Sequence, residues 1–285
     1  MPTSHLGAVL ALHGAVLLFG FAGLFGKWLA LSPLLIVFGR ALIAALTLFL
    51  TRGSARGSGT LYDRSLIATG FVLALHWVAF FAAIQLGSVA LGLLGFASFP
   101  LFVLVLDRIW RGRTWSRREG VSAVIVAIGL VLLIPGFSIA ERPVQGLLWG
   151  LLSGFTFALL ALLNRQMAAS RTAVDVALGQ NLWAAIVLLP ILAATATSFA
   201  LSLRDAALLL ILGVLCTALS HTLFIAALKH VSAPTAAIVA ALEPVYGIAL
   251  AYAFLNEVPS VRTLCGGALI VGAAIWASGA RSGLS

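Results

Sequence analysis

The sequence predicts an all-α membrane protein of ten transmembrane helices, arranged as two inverted five-helix repeats. Three observations lead to this fold class: a very apolar composition, a series of apolar spans joined by short connectors, and a match between the two halves of the chain. Of the 285 residues, 62% are hydrophobic and only 9% are charged. This composition lies far outside the range of soluble globular proteins.

Ten stretches are apolar and long enough to cross a bilayer as helices. At about 1.5 Å of rise per residue, roughly 20 residues cover the roughly 30 Å of hydrocarbon. The longest connector, Arg52–Arg64, is rich in Gly, Ser and Arg, as expected for a loop. The predicted spans are Leu6–Gly26, Pro33–Thr51, Ser65–Gln85, Ser88–Ile109, Gly120–Pro135, Gly146–Asn164, Asp175–Ser198, Ala206–Leu228, Ala233–Leu255 and Val261–Ala280.

Lys and Arg are distributed unequally between the two sides of this bundle. Twelve lie in connectors on the side of the N-terminus and four on the opposite side, with Arg40 inside a span. The positive-inside rule therefore predicts a protein of the inner (plasma) membrane with both termini in the cytoplasm. The net charge of +9 does not indicate nucleic acid, because the basic residues form no continuous face. The run Arg108–Arg118 suits an anionic lipid surface better than a dedicated binding patch.

The two halves of the chain resemble each other. A shift of 144 positions aligns Phe80–Pro100 with Phe224–Pro244, and six of the twenty-one pairs are identical, the two prolines included. A second alignment sets Phe38–Leu46 on Leu178–Ile186. Each half then holds five spans, and an odd number inserts the second copy upside down.

This repeat predicts a first unit over residues 1–136, with helices 1–5, and a second over 137–285, with helices 6–10. Inverted repeats are typical of alternating-access transporters, whose site lies near mid-membrane where proline- or glycine-interrupted helices meet. Pro100 and Pro244, each inside a span, are the predicted hinges. Because no Walker motif is present, direct coupling to ATP is not expected.

The last third of the chain carries a motif of its own. A short connector leads into a Ser/Ala-rich span ending in LEPVY, and the next helix ends in LNE, followed by Pro-Ser and a Gly-rich helix, GGALIVGAAIWAS. These residues closely resemble the second EamA repeat of the drug/metabolite transporter superfamily, and FFAAIQLGSVALGLLGFASFP resembles the first repeat in a less typical form. The first half differs from the second in two places: Phe99 occupies the position equivalent to Glu243, and Gly112-Arg113 occupies the position equivalent to Asn256-Glu257.

The resemblance implies a ten-helix inner-membrane transporter, usually an exporter of small metabolites. We expect a secondary transporter that exports small amphipathic metabolites, amino acids first, including apolar and aromatic ones. Facilitated diffusion and proton exchange both remain open. The alternatives are a carrier of another solute class (nucleoside, sugar or drug) on the same fold, and an intramembrane enzyme. The enzyme is disfavoured because Ser220 and His221, the one local pair, project about 100° apart on a helix.

The expected partners are a small-molecule substrate and the lipid bilayer, with the protein a monomer or a weak homodimer. No cofactor or metal is expected, since neither CxxC nor His/Cys ligand spacing occurs. The two cysteines, Cys216 and Cys265, lie inside apolar spans and are interpreted as packing residues.

Two charges are predicted inside the membrane, where an ionised side chain costs at least about 2.5 kcal/mol and is expected to face protein or water. Glu243 suits a substrate ammonium or a proton, or it pairs with a basic side chain and satisfies backbone donors beside Pro244. Arg40 suits either Glu243, across the repeats, or a substrate carboxylate. These alternatives stay open from the sequence.

The remaining candidates are imidazoles and aromatic rings. His76 and Phe80 lie one turn apart on one helix face, and a one-residue adjustment of the repeat sets His76 on His221. Both histidines suit a zwitterion or a proton relay, although packing is an equal interpretation. Aromatic side chains are predicted to line a cavity for an apolar or aromatic solute. The candidates are Phe80, Trp149, Phe99 and Tyr246, of which Phe99 and Tyr246 come first because each neighbours a repeat proline.

Overall fold

The computed structural model describes residues 5–52, 63–112, 116–134, 138–168, 170–195, 201–231, 236 and 239–279, and all regular structure in these ranges is helical. A π-helical turn, Val214–Leu219, joins α9 directly to α10. The helices are α1 (His5–Trp28), α2 (Pro33–Thr51), α3 (Arg64–Leu86), α4 (Val89–Phe96), α5 (Phe99–Arg111), α6 (Arg117–Leu133), α7 (Arg142–Ala168), α8 (Ala173–Ala194), α9 (Leu203–Gly213), α10 (Ser220–Ala227), α11 (Glu243–Leu255) and α12 (Val261–Gly279).

Seven stretches of the described chain are long and apolar enough to cross a membrane. One of them, Val89–Trp110, contains the consecutive helices α4 and α5, and another, Leu203–Ala227, contains α9, the π turn and α10. Helices α11 and α12 are apolar but shorter. The chain is therefore a multi-pass helical membrane protein, and the number of ten crossings stays a prediction.

Six of the described helices begin directly after a short polar side chain. Each of these side chains accepts a hydrogen bond from a free backbone N–H of the first turn, which stabilises a helix end by about 1 kcal/mol. Ser116 and Glu119 complete a reciprocal capping box at the start of α6. The capping residues are Ser32, Asp63, Ser88, Ser116, Thr172 and Ser202.

The chain interrupts its helices at two positions that are 144 residues apart, as the repeat predicts. A turn at residues 97–98 separates α4 from α5, and a turn at residues 241–242 precedes α11. Pro100 and Pro244 are each the second residue of the helix that follows. A proline is tolerated there because that position has no intrahelical N–H bond to lose. The prolines thus start new helices rather than bend continuous ones.

Helices α5 and α11, which follow the two interruptions, also end alike. Gly112, after α5, and Asn256, after α11, adopt the left-handed conformation, with φ of 63° and 52°. Their backbone N–H groups bond to carbonyls of the preceding turn, as in a left-handed C-cap. Glycine and asparagine are the residues that adopt this conformation at least cost, which accounts for the Asn of the LNE motif and for its replacement by Gly112.

Helix packing repeats between the two halves. Helix α3 packs on α7 as α1 packs on α10, and α4 packs on α7 as α1 packs on α11. Helices α2 and α8 pack on each other, and so do α6 and α12. A two-fold relation between two five-span units generates this set of pairs. The inverted orientation in a membrane, and the boundary between 136 and 137, stay predictions.

Glycines set the distance between helix axes at two equivalent crossings, α1 with α11 and α4 with α7. A Cβ atom added to Gly20 of α1 would lie 2.8 Å from the backbone N of Gly247 on α11. A Cβ added to Gly95 of α4 would lie 3.1 Å from the Cα of Gly150 on α7. Small residues allow helix backbones to approach this closely in membranes, where packing rather than water exclusion drives association.

We predict that Gly20→Ala destabilises the protein, because the added methyl group meets backbone and forces α1 and α11 apart. Overpacking of this kind costs about 1–3 kcal/mol. Gly14→Ala on the same helix is the matched control, since nothing lies within 4 Å of a Cβ added there. Thermal unfolding in detergent should show a lower midpoint for Gly20→Ala alone. Equal midpoints for the two variants would contradict the close crossing.

Candidate functional site

A cavity with about 620 Å³ of empty volume lies at the centre of the bundle. Both halves of the chain line it: α1 to α4 contribute from the first half, and α7, α10 and α11 from the second. The lining residue nearest to a helix end on the N-terminal side of the bundle is Phe224, three residues before the end of α10. On the opposite side Ala22 of α1 and Phe80 of α3 lie six residues before the ends of their helices. The lining therefore comes nearer to a helix end on the N-terminal side than on the opposite side.

One wall of the cavity is aromatic. Phe96, at the end of α4, contacts Phe157 edge-on with ring centroids 5.1 Å apart, and Phe157 in turn contacts Phe224 at 6.1 Å. Phe80 meets Phe96 edge-on at 6.1 Å. Such arrangements place the positive ring edge of one residue against the negative face of the next. The wall offers an apolar surface with fixed ring orientations.

Arg40 also lines the cavity and is 2% exposed. Its Nε donates to Thr217 Oγ1 at 2.9 Å, and an Nη atom donates to the Cys216 carbonyl at 3.2 Å. The guanidinium carbon lies 4.0 Å from the ring centroid of Trp77, within cation–π distance. Neutral groups thus orient the cation, and among the described residues none provides a bonded counter-ion.

The π turn positions these partners of Arg40. Within the turn, the hydroxyl of Thr217 donates to the carbonyl of Leu212, five residues earlier, at 2.7 Å. Single-turn π-helices often occur at functional sites, because they redirect side chains and carbonyls within an otherwise regular helix. Here the redirected groups are the two that Arg40 contacts.

Glu243 is the first residue of α11 and is 5% exposed where it lines the cavity. Within the part of the chain that the structure describes, its carboxylate has no hydrogen bond, and no ion pair joins it to Arg40. The N-terminus of a helix favours a negative charge, so α11 partly stabilises the carboxylate. Two opposite charges therefore face one cavity without a bond between them.

Both predicted histidines line the same cavity. The Nδ1 atom of His76 lies 3.0 Å from the carbonyl oxygen and 3.0 Å from the hydroxyl of Ser153. His221 Nδ1 lies 3.3 Å from Asn181 Nδ2, and its ring meets Trp77 edge-on at 6.1 Å. His76 is thus anchored on α7, on the aromatic side, whereas His221 lies beside the arginine.

Sequence reasoning did not identify a set of buried amides next to His221. Asn164, which lines the cavity, accepts a hydrogen bond from Gln180 Nε2 at 2.6 Å. The side-chain carbonyl oxygens of Gln180 and Asn181 are buried and have no hydrogen-bond partner in the part of the chain that the structure describes. The sequence did contain an indication of this set, because two adjacent amides inside an apolar span are costly to bury unless they are paired.

Other predicted site residues lie outside this lining. Trp149 is 37% exposed on the outer surface of α7. The Tyr246 hydroxyl lies 3.1 Å from His13 Nδ1 and joins α11 to α1. Phe99 is buried directly behind Phe96, its ring stacked at 5.5 Å, and with Pro100 it lines a second pocket. Pro244 is buried beside Glu243.

Hydrogen bonds join the two halves of the chain on the side of the bundle opposite the N-terminus. The Glu257 carboxylate accepts from the backbone N–H groups of Val89 and Ala90, both at 3.2 Å, and so caps α4 across the two halves. Lys27 Nζ donates to the Gly87 carbonyl at 2.9 Å. The loop after α11 is thereby fastened to the start of α4.

Comparison with known proteins agrees with this architecture. The sequence profile of the EamA-like transporter family matches twice, over residues 6–134 and 144–279. The chain belongs to the EamA-like transporter family. Two relatives, from two strains of Pseudomonas aeruginosa, are named pseudopaline exporter CntI; each is 27% identical over 252 residues, which cover 87% of either chain. A solved structure titled "Crystal structure of protein" shares the fold, with a TM-score of 0.71, 21% identity and 98% of both chains covered.

Family membership decides between the classes left open by the sequence. The protein is a membrane transporter of a small-molecule substrate and not an enzyme. The EamA-like transporter has two repeats, and its central cavity is lined from both halves of the chain.

We predict that a thiol placed in this EamA-like transporter at position 221 is accessible to water from the N-terminal side. Cys216 and Cys265 are first replaced by Ala, and His221→Cys is introduced into that variant. It is then treated with a membrane-impermeant maleimide in vesicles of each orientation. Ile225→Cys, one turn later, is the control, because Ile225 is 0% exposed and belongs to a separate apolar cluster. Faster labelling from the opposite side, or equal labelling of both positions, would contradict the cavity's direction.

Proposed function

We propose that this EamA-like transporter exports a small amphipathic zwitterion, most simply an amino acid with an apolar or aromatic side chain, by alternating access around the central cavity. One observation carries the proposal. Arg40 and Glu243 face a single aromatic-lined cavity, and within the described residues no bond joins them. A cavity that holds both charges apart is matched by a solute that carries both charges itself.

The chemistry assigns each part of such a solute to a place. Its carboxylate lies at Arg40, whose planar guanidinium suits carboxylate geometry and is already oriented by Thr217 and Trp77. Its ammonium lies at Glu243, where burial strengthens the attraction. Its apolar side chain lies against Phe96 and Phe157.

The mechanism follows from the repeat. We propose ten helices in two inverted units, inserted in the inner membrane with both termini in the cytoplasm, that rock about the cavity. The turns before Pro100 and Pro244 are the hinges, since the helix is already interrupted at both. The cavity then faces the cytoplasm in the present conformation, which suits uptake of a solute for export.

The relatives add a second candidate solute. Two proteins that align over most of this chain are named exporters of pseudopaline. Their name supports export as the direction of transport here, and it makes pseudopaline the first compound to compare with amino acids. Nucleosides and sugars lack the paired carboxylate and ammonium that the two charges match, and they serve as negative solutes.

Counterflow in liposomes tests the proposal. Vesicles loaded with unlabelled phenylalanine are diluted into labelled solute, and phenylalanine is compared with phenethylamine, which lacks the carboxylate, and with 3-phenylpropionate, which lacks the ammonium. We expect saturable counterflow of phenylalanine and little of either analogue. Counterflow of a nucleoside or a sugar, with none of phenylalanine or pseudopaline, would assign the protein to another solute class. An imposed pH gradient shows in the same vesicles whether proton exchange accompanies transport.

We predict that Arg40→Gln and Glu243→Gln each weaken the apparent affinity for phenylalanine by about 10- to 100-fold. A hydrogen bond to a charged group contributes about 1.5–3 kcal/mol, and each 1.4 kcal/mol is about tenfold. The two variants should lose opposite preferences: Arg40→Gln no longer favours phenylalanine over phenethylamine, and Glu243→Gln no longer favours it over 3-phenylpropionate. Thermal unfolding must show that both are folded. Equal loss for all three solutes would count against the assignment of each charge.

We predict that Phe96→Ala lowers counterflow of phenylalanine more than that of alanine, because it removes a ring from the cavity wall. Phe155→Ala is the matched control: Phe155 is 38% exposed, contacts Phe102 edge-on and does not line the cavity. The measurement is the ratio of the two initial rates in each variant. A uniform loss for both amino acids would mean that Phe96 supports the fold and does not select the solute.

A further inference from the structure

A second pocket lies between α5, α6 and α12, with about 460 Å³ of empty volume. Its lining is apolar apart from Ser122, whose hydroxyl is buried without a hydrogen-bond partner. The other walls come from the start of α5, around Phe99 and Leu104, and from the small residues Ala273 and Ala277 of α12. We call this pocket the outer groove.

The outer groove lies on the side of the bundle that meets lipid. Side chains on either side of it point outwards and are apolar: Val105 and Ile109 on α5 are 39% and 69% exposed, and Val121 and Val124 on α6 are 41% and 59% exposed. In a membrane protein such side chains contact acyl chains. The groove is therefore a recess in the lipid-facing surface.

A basic side chain stands at the outer end of the groove. Arg118, Ser122 and Val126 follow each other at intervals of four residues, so they share one face of α6. The Arg118 guanidinium carbon lies 5.0 Å from the ring centroid of Trp276 on α12, and its Nε is buried without a hydrogen-bond partner. The neighbouring Glu119 carboxylate is used in the capping box, where it accepts from the backbone of Ser116.

The dimensions suit one leaflet of a bilayer. The eight residue steps from Arg118 to Val126 span about 12 Å along the helix, close to the roughly 15 Å depth of half the hydrocarbon core. Arg118 belongs to the first turn of α6, at the N-terminal side of the bundle, and Phe99 lies at the helix interruption near the middle. A charged arginine and a tryptophan are the residue types that collect at the headgroup level.

We propose that the outer groove binds one anionic phospholipid from the leaflet on the N-terminal side. Its phosphate lies at Arg118, and one acyl chain fills the groove past Ser122 and Val126 to Phe99. The occupant is a lipid rather than a free anion because the basic group stands at the mouth of an apolar recess that opens to the bilayer. Basic pockets between transmembrane helices are recognised lipid headgroup sites.

The position of Phe99 links this lipid to the central cavity. One face of the Phe99 ring stacks on Phe96, which lines the cavity, while Phe99 itself lines the groove. The acyl chain therefore supports the aromatic wall from behind, at the interruption between α4 and α5. This inference does not depend on which solute the cavity carries.

Native mass spectrometry of the purified protein tests the site. The protein is delipidated, then supplied with phosphatidylglycerol or phosphatidylcholine of identical chains, and bound lipids are counted. We expect one tightly held phosphatidylglycerol in the wild type, at least about tenfold preferred over phosphatidylcholine. Arg118→Gln should remove the preference and leave weak binding of both. Arg204→Gln, an exposed arginine at the start of α9 on the opposite side, is the matched control and should keep it.

A substitution that fills the groove tests acyl-chain binding separately from headgroup binding. Ala277→Phe should abolish binding of both lipids, whereas Val124→Phe, on the exposed face of α6, should not. If Ala277→Phe unfolds in detergent, Ala273→Leu replaces it, and Arg118→Gln tests the proposal in any case. Unchanged preference in Arg118→Gln, no retained lipid in the wild type, or equal thermal stabilisation by inorganic phosphate and by phosphatidylglycerol would each overturn the proposal.

Discussion

An arginine and a glutamate held apart inside an apolar bundle are the constraint on which the rest of the structure depends. Each costs several kcal/mol at this depth unless protein or water compensates. Arg40 is compensated by neutral partners, a hydroxyl, a carbonyl and the face of Trp77. Glu243 is compensated by the start of α11. A direct ion pair would satisfy both charges; because none joins these two described residues, both side chains remain available to the cavity.

The two helix interruptions allow this arrangement. Each supplies a free helix start near mid-membrane, at equivalent positions of the two halves. The residues placed there differ: Phe99 continues the aromatic wall in one half, and Glu243 brings a charge in the other. A duplicated scaffold thus carries an unsymmetrical site, with a phenylalanine at one interruption and a glutamate at the other.

The sequence predicted what depends on composition, periodicity and local backbone chemistry. The apolar spans, the interruptions at Pro100 and Pro244 and the burial of Arg40 and Glu243 follow from those properties. The π turn at Val214–Leu219 was not predicted, because no residue type marks an inserted residue within an apolar helix. Trp149 was expected at the cavity but lies on the outer surface, since the face that a helix turns inwards depends on its neighbours. The pairing of Asn164 with Gln180 needed the helix contacts for the same reason.

Glu257 has a consequence for how the two halves of the chain are joined. Its carboxylate fastens the loop after α11 to the start of α4. On the N-terminal side two ion pairs join the halves instead, Arg52 with Asp175 and Arg171 with Asp63. The two ends of the bundle are therefore held by different chemistry, arginine–carboxylate pairs at one end and a carboxylate on backbone N–H groups at the other.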